Sequence, residues 1–480
     1  MMSIDTLSAQ EAFDQGGPAD RRSWLDLRAV WRWHFYAGLF CVPFIVWLSL
    51  TGALYLFKPQ VEALIDRPYD TLAVTGQRAS VADQAQAAVA AVPGGVLNAY
   101  ELPAGPNSAA RIIVGRGTEQ FRVYVHPETL AILKVVSEDD RLMRIIFRLH
   151  GELMMGDKGS YLVELAASWA IVMILTGLYL WWPRQARGLA GILYPRLGNG
   201  GRTFWRDLHA VVGLWVSFFA LFLLLSGLPW SKNWGAYFKE MRYITGTAVP
   251  KQDWPTGRSD ELAARLAMNN GVAASAAAVA DEHAAHHHHG GGAMPAMVMD
   301  YTPLDGLVAT VAPLNLAAPV LISPPRKPGG PWTAKSDAQN RPLRTDLTLG
   351  ADGQLLTRQD FNQRHWLDQV VGFGVAAHEG QLFGWLNQVL GVFTAVSLVT
   401  LAVSSVVLWL RRRPSHMLGA PPATRASQRP ARSPWLFAVL LVALGLFLPL
   451  LGISLIVVLL VERLVLRHLP VARAWLGLAA

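Results

Sequence analysis

One cysteine, Cys41, occurs in 480 residues. A single thiol cannot close an intrachain disulfide or build a thiolate metal cage. It lies inside an apolar run and reads as a packing residue. Charge is scarce as well: 16% of residues are Asp, Glu, Lys or Arg, against 52% hydrophobic. That balance is too apolar for an ordinary soluble protein of this length. No Walker loop, no HExxH, no Ser-His-Asp set and no GxGxxG after a strand is present. Their lack argues against ATP-driven transport, hydrolysis and a built-in nicotinamide domain. Acidic residues are missing from two stretches, 183–206 and 411–434, each of which carries several arginines.

What the chain does have is long apolar runs, at 35–57, 161–182, 208–230, 383–410 and 435–461. Each can cross a hydrocarbon core of about 30 Å at about 1.5 Å per residue. The last run contains Pro449 and Gly452 and is either one kinked helix or a hairpin. The first 30 residues are polar and mixed in charge, so the first run is expected to act as an uncleaved anchor. Arginine placement sets the orientation. Arg184, Arg187, Arg196, Arg202 and Arg206 put the first acid-free link in the cytoplasm, and Arg411, Arg412, Arg413, Arg425, Arg429 and Arg432 put the second there. Arg28 and Arg32 place the N-terminal segment on the same side, which leaves the two large polar segments outside. The net charge of +8 comes largely from these loops and calls for no nucleic-acid partner.

A repeat runs through the chain. RWHFYAGLF places His34 four residues before Gly38, and DLHAVVGLW places His209 four residues before Gly213. Eighteen residues beyond each histidine comes another glycine preceded by a hydroxyl residue, in Thr51-Gly52 and Ser226-Gly227. A second histidine follows in each half, His150 in LHGELMMG and His378 in AHEGQLFG. Gly156 and Gly384 stand six residues after them, Asp140 and Asp368 ten before, and Trp182 and Trp409 lie 32 and 31 residues beyond. The agreement predicts two parallel two-span units related by an axis along the membrane normal.

The domain reading follows. It gives a cytoplasmic segment 1–33, a first span 34–57, an external module 58–140, and a lead-in helix with the second span at 141–182. The Arg-rich link 183–206, a third span 207–230 and a second external module 231–377 come next. A fourth span 378–410, the link 411–434, a fifth run 435–466 and a tail 467–480 complete the chain. The fold class expected is a membrane α-helical bundle, with four core helices and one or two C-terminal ones, carrying external α+β modules. Each module is expected to lay one helix (80–92 or 302–313) on a small antiparallel sheet, with Asp352-Gly353 as a turn. Residues 271–299 are alanine-rich and then histidine-rich, and read as a low-complexity external loop.

The repeat would bring His34 to His209 at the cytoplasmic ends of spans one and three, and His150 to His378 at the external ends of spans two and four. Facing imidazoles can clamp an iron from both sides, so each pair suits a bis-histidine b-type haem. Gly38 and Gly213, on the faces of their histidines, would let a macrocycle approach the backbone. A lone histidine at a span end is ordinarily an interfacial hydrogen-bonding residue; four in symmetric places favour ligation, because ionisable groups in membranes are costly. A proton relay through the same side chains is the rival use. His126, His365, His416 and His468 have no symmetric partner and read as surface residues. His283, His286, His287, His288 and His289, with Met294, Met297 and Met299, form an accessory metal candidate, since imidazole and thioether suit copper and imidazole alone suits zinc or nickel. Many of the 18 tryptophans fall near span ends, as an aromatic belt.

The stretches WHFYAGLFCVPFIVWLSLTGALYLF and LTGLYLWWPR, and HEGQLFG followed by a span ending in WLRRRP, resemble the PepSY-associated transmembrane proteins. The resemblance covers about 25–465, and the external modules are similar to PepSY domains, the first more clearly. It implies a multi-pass protein of the bacterial inner membrane, with the large segments in the periplasm. Some relatives are haem-containing ferric-siderophore reductases and others regulate peptidases. The second module departs from the pattern in its proline-rich 322–331 stretch and its histidine insertion. On this basis two haems, at His34/His209 and His150/His378, are expected to carry electrons to a ferric siderophore. The cytoplasmic links are too short for a flavin or nicotinamide domain, so a quinol or a separate reductase must be the donor. A non-enzymatic regulator and a transporter of siderophore, haem or metal are the alternatives.

Overall fold

The computed structural model describes residues 27–183, 188–248, 256–285, 300–421 and 434–478. Five helices are long and apolar enough to cross a membrane: Leu27–Tyr55, Asp157–Trp181, Gly201–Trp230, Trp385–Arg412 and Pro449–His468. Regular α-helix within them covers α1 (Leu27–Tyr55), α5 (Asp157–Trp181), α6 (Gly201–Gly227), α11 (Trp385–Arg412) and α13 (Pro449–Leu464). Between them lie α2 (Lys58–Asp70), α3 (Val81–Ala90), α4 (Leu142–Glu152), α7 (Lys232–Ile244), α8 (Arg258–Ala285), α9 (Pro303–Val311) and α10 (Trp366–His378). The C-terminal part adds α12 (Pro434–Phe447) before α13 and α14 (Pro470–Leu476) after it. The chain is a multi-pass membrane protein with a β region.

Two compact units divide it, one of Met1–Val42, Ser168–Leu214 and Val403–Ala480, the other of Pro43–Ala167 and Trp215–Ala402. The helices α1, α5, α6 and α11 contribute residues to both.

The second unit carries eight strands: β1 (Val96–Glu101), β2 (Ala110–Arg116), β3 (Glu119–Val125), β4 (Ile132–Ser137), β5 (Val320–Ser323), β6 (Trp332–Ser336), β7 (Thr345–Leu349) and β8 (Leu355–Asp360). Two separate small sheets are what the sequence suggests. Instead the strands form one antiparallel sheet in the order β4-β3-β2-β1-β5-β6-β7-β8. The seam is β1 against β5, with Tyr100 opposite Ile322 and Glu101 opposite Leu321. Pairing these strands removes an edge from each module, and an unpaired edge is a liability. The helices α3 and α9 fall where expected, and both pack on one face. Ala85, Ala88, Leu304, Leu307 and Val311 meet Leu97, Ile112, Val123, Ile322, Leu347 and Leu349 in a single buried core. Each fully buried leucine there contributes about 1.5–3 kcal/mol relative to exposure. The alternation is plain in β6 and β7, where every second residue is buried.

Side chains of the opposite face are ionic. Arg111 reaches Asp70 at 2.7 Å, and Arg122 bonds Glu138 at 2.6 Å and also pairs with Glu101. Residues 271–285, read as loop, continue helix α8, because alanine repeats favour helix; the rest of that stretch, 286–299, lies outside the described residues. In the first unit the C-terminal apolar run breaks at Leu448 (φ −118°, ψ 84°), next to Pro449. The turn is sharp enough to put the backbones of Gly445 and Gly452 in contact, so α12 and α13 are two packed helices and not one kinked span.

Candidate functional site

The sequence-predicted histidines meet in twos. In the first unit the rings of His34 on α1 and His209 on α6 have centroids 6.3 Å apart and planes at 80°. In the second unit His150 on α4 and His378 on α10 stand at 6.4 Å and 81°. Nearly identical spacing and angle, reached with different elements, point to one local requirement met twice.

Each ring is held through Nδ1. His34 Nδ1 lies 3.0 Å from the Met173 carbonyl and 3.2 Å from Thr176 Oγ1. His150 Nδ1 is 3.0 Å from Thr51 Oγ1, His378 Nδ1 is 2.9 Å from Ser226 Oγ, and His209 Nδ1 is 3.1 Å from Ser404 Oγ. For His34, His150 and His378 the protonation follows from counting hydrogens. Thr51 donates its hydroxyl proton to the Trp47 carbonyl at 2.8 Å, Thr176 to Val172 at 2.8 Å, and Ser226 to Phe222 at 2.7 Å. Those oxygens are left to accept, so the ring nitrogen donates. A carbonyl such as that of Met173 can only accept, which gives the same answer for His34. A neutral imidazole with Nδ1–H keeps its lone pair on Nε2, the form that binds metals.

Glycines set the ring positions. An ideal Cβ on Gly52 would stand 3.1 Å from His150 Cε1, one on Gly177 3.0 Å from His34 Cε1, and one on Gly227 3.4 Å from His378 Cε1. The hydroxyl–glycine pairs Thr51-Gly52, Thr176-Gly177 and Ser226-Gly227 are therefore clasps: one residue bonds the imidazole and the next lets it lie against the helix. Of these, Thr176-Gly177 and the partner hydroxyl Ser404 were not singled out in the sequence. The signal was the repeat of a hydroxyl residue before glycine within LTGLYLWW. Gly38 is less tightly placed, since a Cβ there would come no nearer than 3.8 Å to Met173 Sδ. Gly213 lies on α6 with its histidine.

His150 and His378 sit in short helices and take extra support from spanning ones. The carbonyl before each is pinned by a spanning helix, Leu149 by the Trp47 indole at 2.9 Å and Ala377 by the Asn387 amide at 2.9 Å. Gly156 and Gly384, each six residues on, adopt φ of +61° and +59°, which explains their matched positions. The two aspartates ten residues back are not equivalent. Asp368 is buried against Arg242 at 2.7 Å, whereas Asp140 is exposed. Its neighbour Asp139 instead anchors α4 to α8, receiving Arg258 and Arg265, while Glu261 takes Arg144 and Arg265. Burial works to raise the Asp139 carboxyl, but the hydrogen bonds from Arg258 and Arg265 hold it well below the usual carboxylate range. Glu261 is lowered in the same way, with Arg144 and Arg265 overcoming burial. Glu152 shifts upward because burial outweighs Arg148.

The remaining histidines do other work. His126 Nδ1 accepts backbone N–H bonds in the turn after β3, and His365 caps α10. His283 lies in α8; its side chain, and all of His286, His287, His288 and His289, fall outside the described residues. Among the described residues no three His, Cys, Asp or Glu side chains converge as a metal group.

Paired imidazoles clasped among apolar spanning helices, together with an α+β unit, define a multi-pass membrane protein with two histidine-paired sites. Residues 31–412 match the PepSY-associated TM region family, and the chain belongs to it. No curated protein matches the chain.

Proposed function

We propose that the protein is a di-haem b-type electron-transfer protein of a bacterial inner membrane that reduces a ferric siderophore on the periplasmic side. One haem is held by His34 and His209, the other by His150 and His378. The observation that carries this reading is the ring spacing. An imidazole nitrogen bonds a metal at about 2 Å, so two imidazoles on opposite sides of one iron have centroids roughly 6 Å apart. The pairs stand at 6.3 and 6.4 Å. With their protons on Nδ1, His150 and His378 have no Nε2–H to share with each other, and a Lewis acid would satisfy both lone pairs. The donor set, two neutral imidazoles and no carboxylate or thiolate, suits a haem iron.

The protein's own part is positional. Met173, Thr176, Thr51, Ser226 and Ser404 fix ring orientation, and Met173, Thr176, Thr51 and Ser226, by accepting the Nδ1–H hydrogen bond, raise the basicity of Nε2. Gly52, Gly177 and Gly227 let the rings sit flush with their neighbours. Bound haem would supply one-electron redox chemistry whose potential these contacts tune. Hard oxygen ligands hold Fe(III) tightly and Fe(II) much less, so one electron per iron releases the metal from its chelate. The electrons come from a membrane quinol or a separate reductase. Placing the sheet-bearing unit outside follows from the arginine-rich links.

The test is a visible spectrum of the purified full chain with haem stoichiometry. Two b-type haems per chain, reduced by dithionite and reoxidised by a ferric hydroxamate chelate, are expected. A colourless preparation from iron-replete cells would sink the reading. Retained haem without reoxidation by any ferric chelate would move it to a transporter or sensor.

A further inference from the structure

Half-buried Arg412, at the end of α11, stands in an environment unlike that of other guanidinium groups turned into the protein. Arg111, Arg122, Arg144 and Arg242 each face a carboxylate. Arg412 lies over the rings of Trp31 and Phe35 at 4.9 and 5.3 Å, and one Nη donates to the Gly419 carbonyl at 3.1 Å. Its Nε is buried with no hydrogen-bond partner. Among the described residues no carboxylate pairs with it, and the charge that acts on it comes from a second cation, Arg202. A guanidinium held over two rings, with a buried Nε that lacks a hydrogen-bond partner, is open to an anion.

Helical spacing ties both to the His34–His209 pair. Arg202 precedes His209 by seven residues on α6, two turns away on the same face. Arg412 follows Ser404, the hydroxyl partner of His209, by eight. Its aromatic bed, Trp31 and Phe35, brackets His34 in sequence on α1.

We propose that Arg412, assisted by Arg202, is an anion anchor that takes the propionate carboxylates of the haem held by His34 and His209. This rests on the haem reading of that pair. Haem has one anionic edge and three apolar ones, so a cation at one end of an apolar slot fixes which way the ring enters. A guanidinium matches a carboxylate with two parallel N–H bonds, and the Trp31 and Phe35 rings hold its plane.

The experiment measures haem transfer to excess apomyoglobin from the full chain in nanodiscs, in a His378→Ala background that keeps only the His34–His209 haem. Arg412→Gln is expected to speed haem loss roughly tenfold or more, the size of a lost charged hydrogen bond. Arg412→Lys should recover part of it, and Arg202→Gln, at an exposed position, should act in the same direction but less. Protein reconstituted with haem dimethyl ester, which has no free carboxylates, should lose haem at the same rate with or without Arg412→Gln. Unchanged loss in both glutamine variants overturns the anchor and leaves the haem reading standing, whereas a wild-type chain without haem overturns both. An Arg412→Gln effect seen in phosphatidylglycerol nanodiscs and absent in phosphatidylcholine would name an anionic lipid headgroup as the occupant and also overturn it.

Discussion

His34 and His209 sit inside spanning helices, whereas His150 and His378 sit in the last turns of short helices outside the spans. The ring geometry of the two pairs is nevertheless the same within 0.1 Å and 1°. A spanning helix is rigid by backbone bonding and lipid exclusion, so the His34–His209 pair needs little beyond its clasps. The His150–His378 pair borrows its rigidity from the pinned carbonyls of Leu149 and Ala377 and from the Asp139–Arg258–Arg265–Glu261–Arg144 network. Ring geometry is therefore duplicated, while its mechanical support is not.

Removing a ligand should separate the pairs most sharply. His34→Ala or His209→Ala is expected to abolish one haem and spare the other, and His150→Ala or His378→Ala the reverse, read by haem stoichiometry. A single change that removes both would show that the pairs do not act independently. Overpacking the clasps comes next. Gly177→Val and Gly52→Val should each cost their own pair about 1–3 kcal/mol of haem binding, Gly227→Val less, and Gly38→Ala almost nothing, in step with their contact distances.

Acid should then discriminate by support. The Asp139 and Glu261 carboxyls are lowered in the folded chain, from ordinary values of 3.8 and 4.5. Such groups stabilise the fold above those values and lose their contribution as pH falls through the folded ones. Haem retention at His150–His378 should fail first on acidification below about pH 4, and Asp139→Asn should weaken that pair at neutral pH by about 1–2 kcal/mol without touching His34–His209. Smallest is the loss of a clasp hydroxyl. Thr51→Val should lower metal affinity at its pair by about tenfold. Thr176→Val should do less, because the Met173 carbonyl still holds His34.

The repeat made the pairing of the four histidines legible, since side chains at matched offsets in two apolar halves leave a sequence trace. Helices α3 and α9 were legible from periodicity. The joining of β1 to β5 was not, because a seam two residues long carries no pattern of its own. The same holds for Thr176, Ser404 and Arg412. Hydroxyls in spanning helices commonly satisfy their own backbone, and an arginine at a span end normally marks topology, so neither type announces a site until its neighbours are known.

Electron paramagnetic resonance of the oxidised full chain asks most directly whether these imidazoles meet in twos around iron. Ring planes at 80° and 81° predict two low-spin signals of the highly anisotropic kind given by near-perpendicular axial imidazoles. Rhombic signals of parallel rings, a high-spin five-coordinate iron at either site, or no haem signal would contradict it.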